Sequence, residues 1–215
     1  MLKFIGQLTL GLLLVLILGS CAATTSSVRE ERAVSDVRAV RVEGSGTLII
    51  EQGERETLTV EAPAQLLSQV ISENRDGTLV LGSYARNLIG PNGPITYRLT
   101  VTDLAIIEST GSSEISAAAL NGDALTVIVS GSGDVELAGN VDRQEVLVSG
   151  SGSYLGGDLS SAVATVTVSG SGDATVHATE QLDVTITGSG EVGYVGTPQL
   201  TQQIRGSGDL VQIGE

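Results

Sequence analysis

The sequence is poor in the residues that carry most catalytic and metal chemistry. Its 215 residues include one Cys, one His, one Phe and no Trp. Lys3 is the only lysine. A single cysteine excludes an intrachain disulfide. Cys21 and His177 are too few for a His/Cys zinc centre, which takes three or four protein ligands. No Ser-His-Asp or Cys-His pair is expected either, because His177 is the single histidine and Cys21 is committed to the apolar leader described next. The net charge is −14, with 25 Asp and Glu residues. A surface of that sign repels phosphate backbones and excludes nucleic acid as a partner. Nothing in the sequence calls for a cofactor.

What is present begins with an apolar run. Lys3 is followed by Leu8 to Leu18 and then by Gly19-Ser20-Cys21. This is the layout of a secretory signal: a charged start, a short hydrophobic stretch and small residues before a cut. Eleven residues rise about 16 Å as a helix, too little to span a bilayer core of about 30 Å. Leu18-Gly19-Ser20-Cys21 resembles the bacterial lipobox. The resemblance implies that Cys21 is acylated, that residues 1–20 are removed, and that palmitate-like chains hold the protein on a membrane. Each buried CH₂ contributes about 0.8 kcal/mol, so several chains anchor stably. Ala22 and Ala23 follow, without the aspartate of an inner-membrane retention signal, so an outer membrane is expected where the cell has two. Residues 21–36 are small, polar and charged and are expected to form a flexible, lipid-anchored tether.

The rest of the chain, 37–215, repeats itself. Thr110-Gly111-Ser112-Ser113-Glu114 is followed by Ser130-Gly131-Ser132-Gly133-Asp134 and Ser149-Gly150-Ser151-Gly152-Ser153. Then come Ser169-Gly170-Ser171-Gly172-Asp173, Thr187-Gly188-Ser189-Gly190-Glu191 and Arg205-Gly206-Ser207-Gly208-Asp209. Their first glycines lie 20, 19, 20, 18 and 18 residues apart. An earlier copy is Glu43-Gly44-Ser45-Gly46-Thr47. Val129, Val148, Val168, Ile186 and Ile204 stand two residues before the first glycine. Val127, Val146, Val166 and Val184 stand four before, with Gln202 as the exception. Alternating β-branched residues indicate strands with one buried face. The glycine pairs indicate bends with φ > 0 or close backbone approach.

A unit of 18–20 residues holding strands and tight turns, with no helix, fits one coil of an all-β parallel β-helix. Leucine-rich repeats lack support in the sequence, and propeller blades need about 40 residues. Before residue 110 the pattern loosens. Val40, Val42, Leu48, Ile50, Leu58 and Val60 alternate like strands, and Asp76-Gly77 marks a turn. Residues 63–71, opening on Pro63, suit a short helix that covers the N-terminal end. Residues 83–94 read as a Gly/Pro/Asn loop.

The strand pair around Gly44-Ser45-Gly46, the strand Leu58 to Ala62, the Asp76-Gly77-Thr78-Leu79 turn and the Val-x-Val-Ser-Gly-Ser-Gly-Asp repeat together resemble the putative auto-transporter adhesin, head GIN domain family. The resemblance covers 37–215. It implies a right-handed parallel β-helix in exported proteins and lipoproteins, and adhesion by analogy; it carries no catalytic residues.

Glu114, Asp134, Asp173, Glu191 and Asp209 share one phase of the repeat, interrupted by Ser153. Stacked carboxylates about 4.8 Å apart repel by roughly 1 kcal/mol in water. A Ca²⁺ ion held by Asp173, Glu191 and Asp209 is one way to relieve this. Capping of backbone amides within each turn is the preferred reading, since Asp commonly does this. A glycan-active enzyme is the third-ranked reading, because the acids recur with the repeat rather than converging once. His177, alternating with Val176, is expected to face solvent. Tyr154 and Tyr194 occupy repeat positions held elsewhere by valine and are expected to fill core. The leading expectation is a non-catalytic, adhesin-like envelope protein that binds a glycan or an envelope protein. The alternative is an accessory protein for a membrane partner. The bend glycines Gly131, Gly133, Gly150, Gly152, Gly170, Gly172, Gly188, Gly190, Gly206 and Gly208 are the expected structural turns. The chain runs to Leu210-Val211-Gln212-Ile213-Gly214-Glu215 straight after its last bend, so end-to-end association of copies is also expected.

Overall fold

A computed structural model describes residues 27–84 and 93–215. It is 71% strand and 2% helix, wound as a β-solenoid of about five turns. The expected signal (1–20) and Cys21 lie outside the described residues. The strands are β1 (Ser27–Arg32), β2 (Ala39–Val42), β3 (Thr47–Gln52), β4 (Thr57–Pro63), β5 (Val70–Arg75), β6 (Thr78–Ser83), β7 (Thr96–Val101) and β8 (Ile106–Ser109). They continue as β9 (Glu114–Val129), β10 (Asp134–Val148), β11 (Ser153–Gly170), β12 (Asp173–Gly188), β13 (Glu191–Val195), β14 (Gln199–Gly206) and β15 (Asp209–Gly214). One short helix, α1 (Ala64–Leu67), interrupts them.

Each regular coil has two runs, one leaving a glycine bend and one entering the next. β9 to β12 carry both runs and pair in parallel with their neighbours over nearly their whole length. The first run is continued by β13 and β15, the second by β14. The inward positions stack as the repeat requires. Val127, Val146, Val166 and Val184 are in register, as are Val129, Val148, Val168 and Ile186. All are buried. Ile115, Val135, Tyr154, Ala174 and Val192 form the facing column. Burying each such aliphatic side chain contributes roughly 1.5–3 kcal/mol, and parallel strands stack a new layer every ~4.8 Å.

Two different constraints act at the bend glycines. Gly170, Gly188 and Gly206 take positive φ. Gly131, Gly150 and the second glycines from Gly133 to Gly208 do not; there a side chain is excluded because the bends stack. At Gly172 a Cβ would overlap the carbonyl oxygen of Gly152 and lie 2.7 Å from Val148 Cγ1. The serine amide in each bend donates to a glycine carbonyl one coil back, as in Ser132 N to Gly111 O (2.9 Å) and Ser189 N to Gly170 O (2.8 Å).

The N-terminal part builds the same two layers from scattered pieces. β3 lies in parallel between β7 and β9, and β2 between β6 and β8. Beyond them the pairing turns antiparallel: β4 against β7, β1 against β4, and β5 against β6. The β5–β6 hairpin turns on Asp76 and Gly77, both at positive φ (52° and 84°), as a two-residue Asp-Gly connection demands. Two expectations are corrected here. The helix over 63–71 shrinks to four residues, with Pro63 as its N-cap rather than within its first turn; β4 and β1, not the helix, extend the first layer. The tether over 21–36 is not wholly free chain, since Ser27–Arg32 forms β1. Glu61 binds Arg29 Nε at 2.9 Å and Ser27 Oγ at 3.0 Å, and these bonds hold its carboxyl below the usual range. Arg32 donates to Val70 O, Ser72 Oγ and Leu67 O. Glu30 ion-pairs with Arg32 rather than waving from a tether.

Candidate functional site

The glycine bends line up along one edge of the solenoid and make its most regular exposed surface. Ser112, Ser132, Ser151, Ser171, Ser189 and Ser207 lie along it, on the outside of their bends. The acidic column runs beside them in register: Glu114 with Asp134, Asp134 with Ser153, Ser153 with Asp173, and Glu191 with Asp209. The capping expected within each turn is redirected. Asp134 Oδ1 accepts from Ser153 N at 3.2 Å, and Asp173 Oδ1 accepts from Glu191 N at 2.8 Å. Each of these two carboxylates therefore reaches the amide of the next coil, which satisfies it and pins consecutive coils together. Among the described residues no group of three or more His, Cys, Asp or Glu is placed to hold a metal ion. The edge offers hydroxyl and carboxylate oxygens at a repeat of about 4.8 Å, a surface suited to hydrogen-bonding an extended partner.

A second feature escapes the repeat pattern. A shallow open groove of about 300 Å³ crosses the outer face of the first layer, lined among others by Ile49, Ser116, Ala118, Glu136, Ala138 and Asp158. It lies where the ladder slips, between Leu137 and Gly139 on one side and Glu136 and Ala138 on the other. Bulges of this kind re-aim side chains and are over-represented beside functional sites. The signal was present as Gly139 and Gly156-Gly157, which fall outside the bend phase.

The interior holds the third feature. Gln144 occupies an inward position between Leu125 and Ala164 and is wholly buried. Its Oε1 accepts from the Tyr154 hydroxyl (3.0 Å), and its Nε2 donates to Ser161 Oγ (2.8 Å) and His177 O (3.1 Å). Ser161 Oγ donates to His177 O as well (2.9 Å). Every member is paired, so burial costs little more than desolvation already offset by hydrogen bonds. Burial drives the Tyr154 hydroxyl pKa far up and that of Tyr97, which donates to Gly82 O, up to about 12. Tyr154 is core, as expected, and Tyr194 is half-buried at the equivalent of Val176. His177 is half-buried on the outward alternation, and its carbonyl rather than its ring joins the network. Tyr84 is the most exposed aromatic described, at 69%. These groups do not converge: among the described residues no acid, base and nucleophile meet in the groove or along the edge.

The comparisons with known proteins agree with this architecture. The sequence profile of the putative auto-transporter adhesin, head GIN domain family matches residues 36–198. A crystal structure described as a putative adhesin from Bacteroides fragilis superposes with a TM-score of 0.74 at 19% identity, over 88% of this chain and 98% of that one. A putative adhesin from Parabacteroides merdae gives 0.54 at 16% identity, over 88% and 97%. A structure described as a putative lipid binding protein from Parabacteroides distasonis gives 0.53 at 21%, over 88% and 98%. At these identities the likeness is one of fold. No curated protein matches the chain. Repeat, solenoid and profile converge: the chain belongs to the putative auto-transporter adhesin, head GIN domain family.

Proposed function

We propose that this protein is a lipid-anchored, non-catalytic adhesin of the cell envelope, held by Cys21 and presenting the solenoid as a binding surface. The observation that carries the reading is the ribbon of bend serines and carboxylates, in register along the coils, on a member of an adhesin family. An extended partner such as an envelope glycan matches such a ribbon: its hydroxyls find an acceptor or donor at every coil. The short path between anchor and fold supports the same reading. Five residues separate Cys21 from β1, a reach of at most about 20 Å, so the β1 end of the solenoid stands near the membrane. The bulged groove is a second contact point on the same molecule.

Two measurements test this. Palmitate labelling of cells should mark the wild type and not Cys21→Ser, whose precursor should remain uncut. Glycan-array binding by the full chain should weaken when Ser132, Ser151 and Ser171 are replaced together by Ala. Labelling of Cys21→Ser at the wild-type level overturns the anchor. Array binding that ignores the serine ribbon overturns the assignment of the surface.

A further inference from the structure

One end of the solenoid has a stepped shape. Among the described residues β14 pairs only with β12, and β15 only with β13. The layer that ends in β15 therefore projects one strand beyond the layer that ends in β14. The inward columns here are open to solvent: Leu200 is 41% and Ile204 39% exposed, and the outward Val211 and Ile213 are 40% and 56% exposed. Four of the eight large exposed hydrophobic residues described sit on these two strands. The charge pattern is also distinct. In a chain of net charge −14, residues 199–214 carry one cation, Arg205, and one anion, Asp209.

We propose that two copies of this chain interlock at this step, β15 of each lying antiparallel along β14 of the other. A two-fold axis running between the two layers, parallel to the strands, brings each projecting strand into the other's notch. Such an axis keeps the bend edge of one copy beside the bend edge of its partner. That fixes the register, because Arg205 and Asp209 flank the same bend. Arg205 then faces the partner's Asp209, Ile204 faces the partner's Leu210, and Gln202 faces the partner's Gln212. Inward residues meet inward residues, so the core runs on through the joint. The outward pair is an ion pair, made twice by symmetry. The near-neutral strands let two strongly acidic molecules approach, and the arrangement closes two sheet edges that otherwise invite uncontrolled pairing. The axis is perpendicular to the solenoid, so the two β1 ends point in opposite directions. With the Cys21 anchor proposed above, the pair would join two facing membranes; that last step rests on the anchor reading.

Sedimentation velocity of the full chain in detergent, with thermal unfolding as the control for folding, tests the joint. The wild type should dimerise. Arg205→Glu and Asp209→Arg, both at exposed positions, should each weaken self-association at least tenfold while unfolding normally. Each variant alone places like charges opposite one another at both ion-pair positions. An equimolar mixture of the two should recover dimers, because every facing pair across the joint then has opposite charge again. A monomeric wild type, a dimer indifferent to both substitutions, or a mixture that stays monomeric each overturns the proposal. Cys21→Ser should lose membrane attachment and keep the dimer, so failure of the anchor and failure of the joint are read separately.

Discussion

The coils after residue 110 and the segment before it solve the same packing problem with different means. The later coils are sequential. Each strand lies on the one that came about 19 residues before, and one short sequence supplies bend, column and edge every time. The earlier segment assembles its layers out of order. β2 is sandwiched between strands that come later in the chain, and three pairings run antiparallel. The comparison teaches where the tolerance lies. A repeat coil is held by backbone stacked on backbone, so its bends have no spare volume. The earlier segment adds hairpins and antiparallel pairings to its parallel ladders, and its first bend has room on one side: a Cβ at Gly44 would meet nothing within 4 Å, although its φ is 91°.

The largest effect should come from breaking the stack. Gly172→Val is expected to cost about 3–5 kcal/mol or to prevent folding, through overlap with the preceding bend. Ser171→Ala beside it should stay within about 0.5 kcal/mol, and Gly44→Ala should cost about 1 kcal/mol through its backbone conformation alone. Chemical denaturation of the three variants checks the order; equal midpoints would remove the distinction between the regions.

Next is the polar interior of the repeats. Gln144→Ala strips the Tyr154 hydroxyl of its partner, removes one of the two donors to the His177 carbonyl and should cost about 2–4 kcal/mol. Tyr154→Phe orphans only Gln144 Oε1 and should cost about 1–3 kcal/mol. The two losses should not add, which a double-mutant cycle would reveal.

Alkaline pH should act on both regions through their buried tyrosines. Tyr97 and Tyr154 have folded-state pKa values raised by burial. Their contribution is therefore complete below the unfolded value near 10 and is lost as pH rises through about 12 for Tyr97 and beyond it for Tyr154. The fall should approach ~1.4 kcal/mol per pH unit for each tyrosine. Titration monitored by circular dichroism should show Tyr97→Phe and Tyr154→Phe each flattening this slope.

The smallest effect belongs to the N-terminal edge. Arg32→Ala removes the three bonds that tie β1 to α1 and β5. It should raise hydrogen exchange in β1 while leaving the amides of β9 to β12 unchanged, a local opening of the kind expected at an edge.

This gradient also explains what could be read in advance. The valine columns, the coil length and the stacked acids follow from periodicity, because in a solenoid equivalent positions in sequence become neighbours in space. β1 was invisible to that logic. Ser27 to Arg32 shows no apolar alternation; its strand is made by the antiparallel ladder to β4 and fixed by Glu61 and by backbone acceptors 35 to 38 residues away. The next-coil reach of Asp134 and Asp173 was hidden for a related reason: a local turn and a stacked turn offer the same amide type, and only the rise between coils decides between them. Gln144 reads as an irregular polar residue until Tyr154 and Ser161 are seen on either side of the same dry interior. The groove follows from extra residues in two coils, which shift the ladder without changing the bend sequence.

Near-identical coils carry a hazard of miscounting. A growing solenoid whose bends are interchangeable can seat a coil one rung too early, since valine would still meet valine. Gln144 acts as an address. Only when its coil lies directly before that of Tyr154 and Ser161, with His177 one coil further, are all the polar atoms of the interior paired. A slip would leave a hydroxyl and an amide dry and unpaired, at about 1–3 kcal/mol each. The same four groups that look like a flaw in the apolar column therefore number the coils.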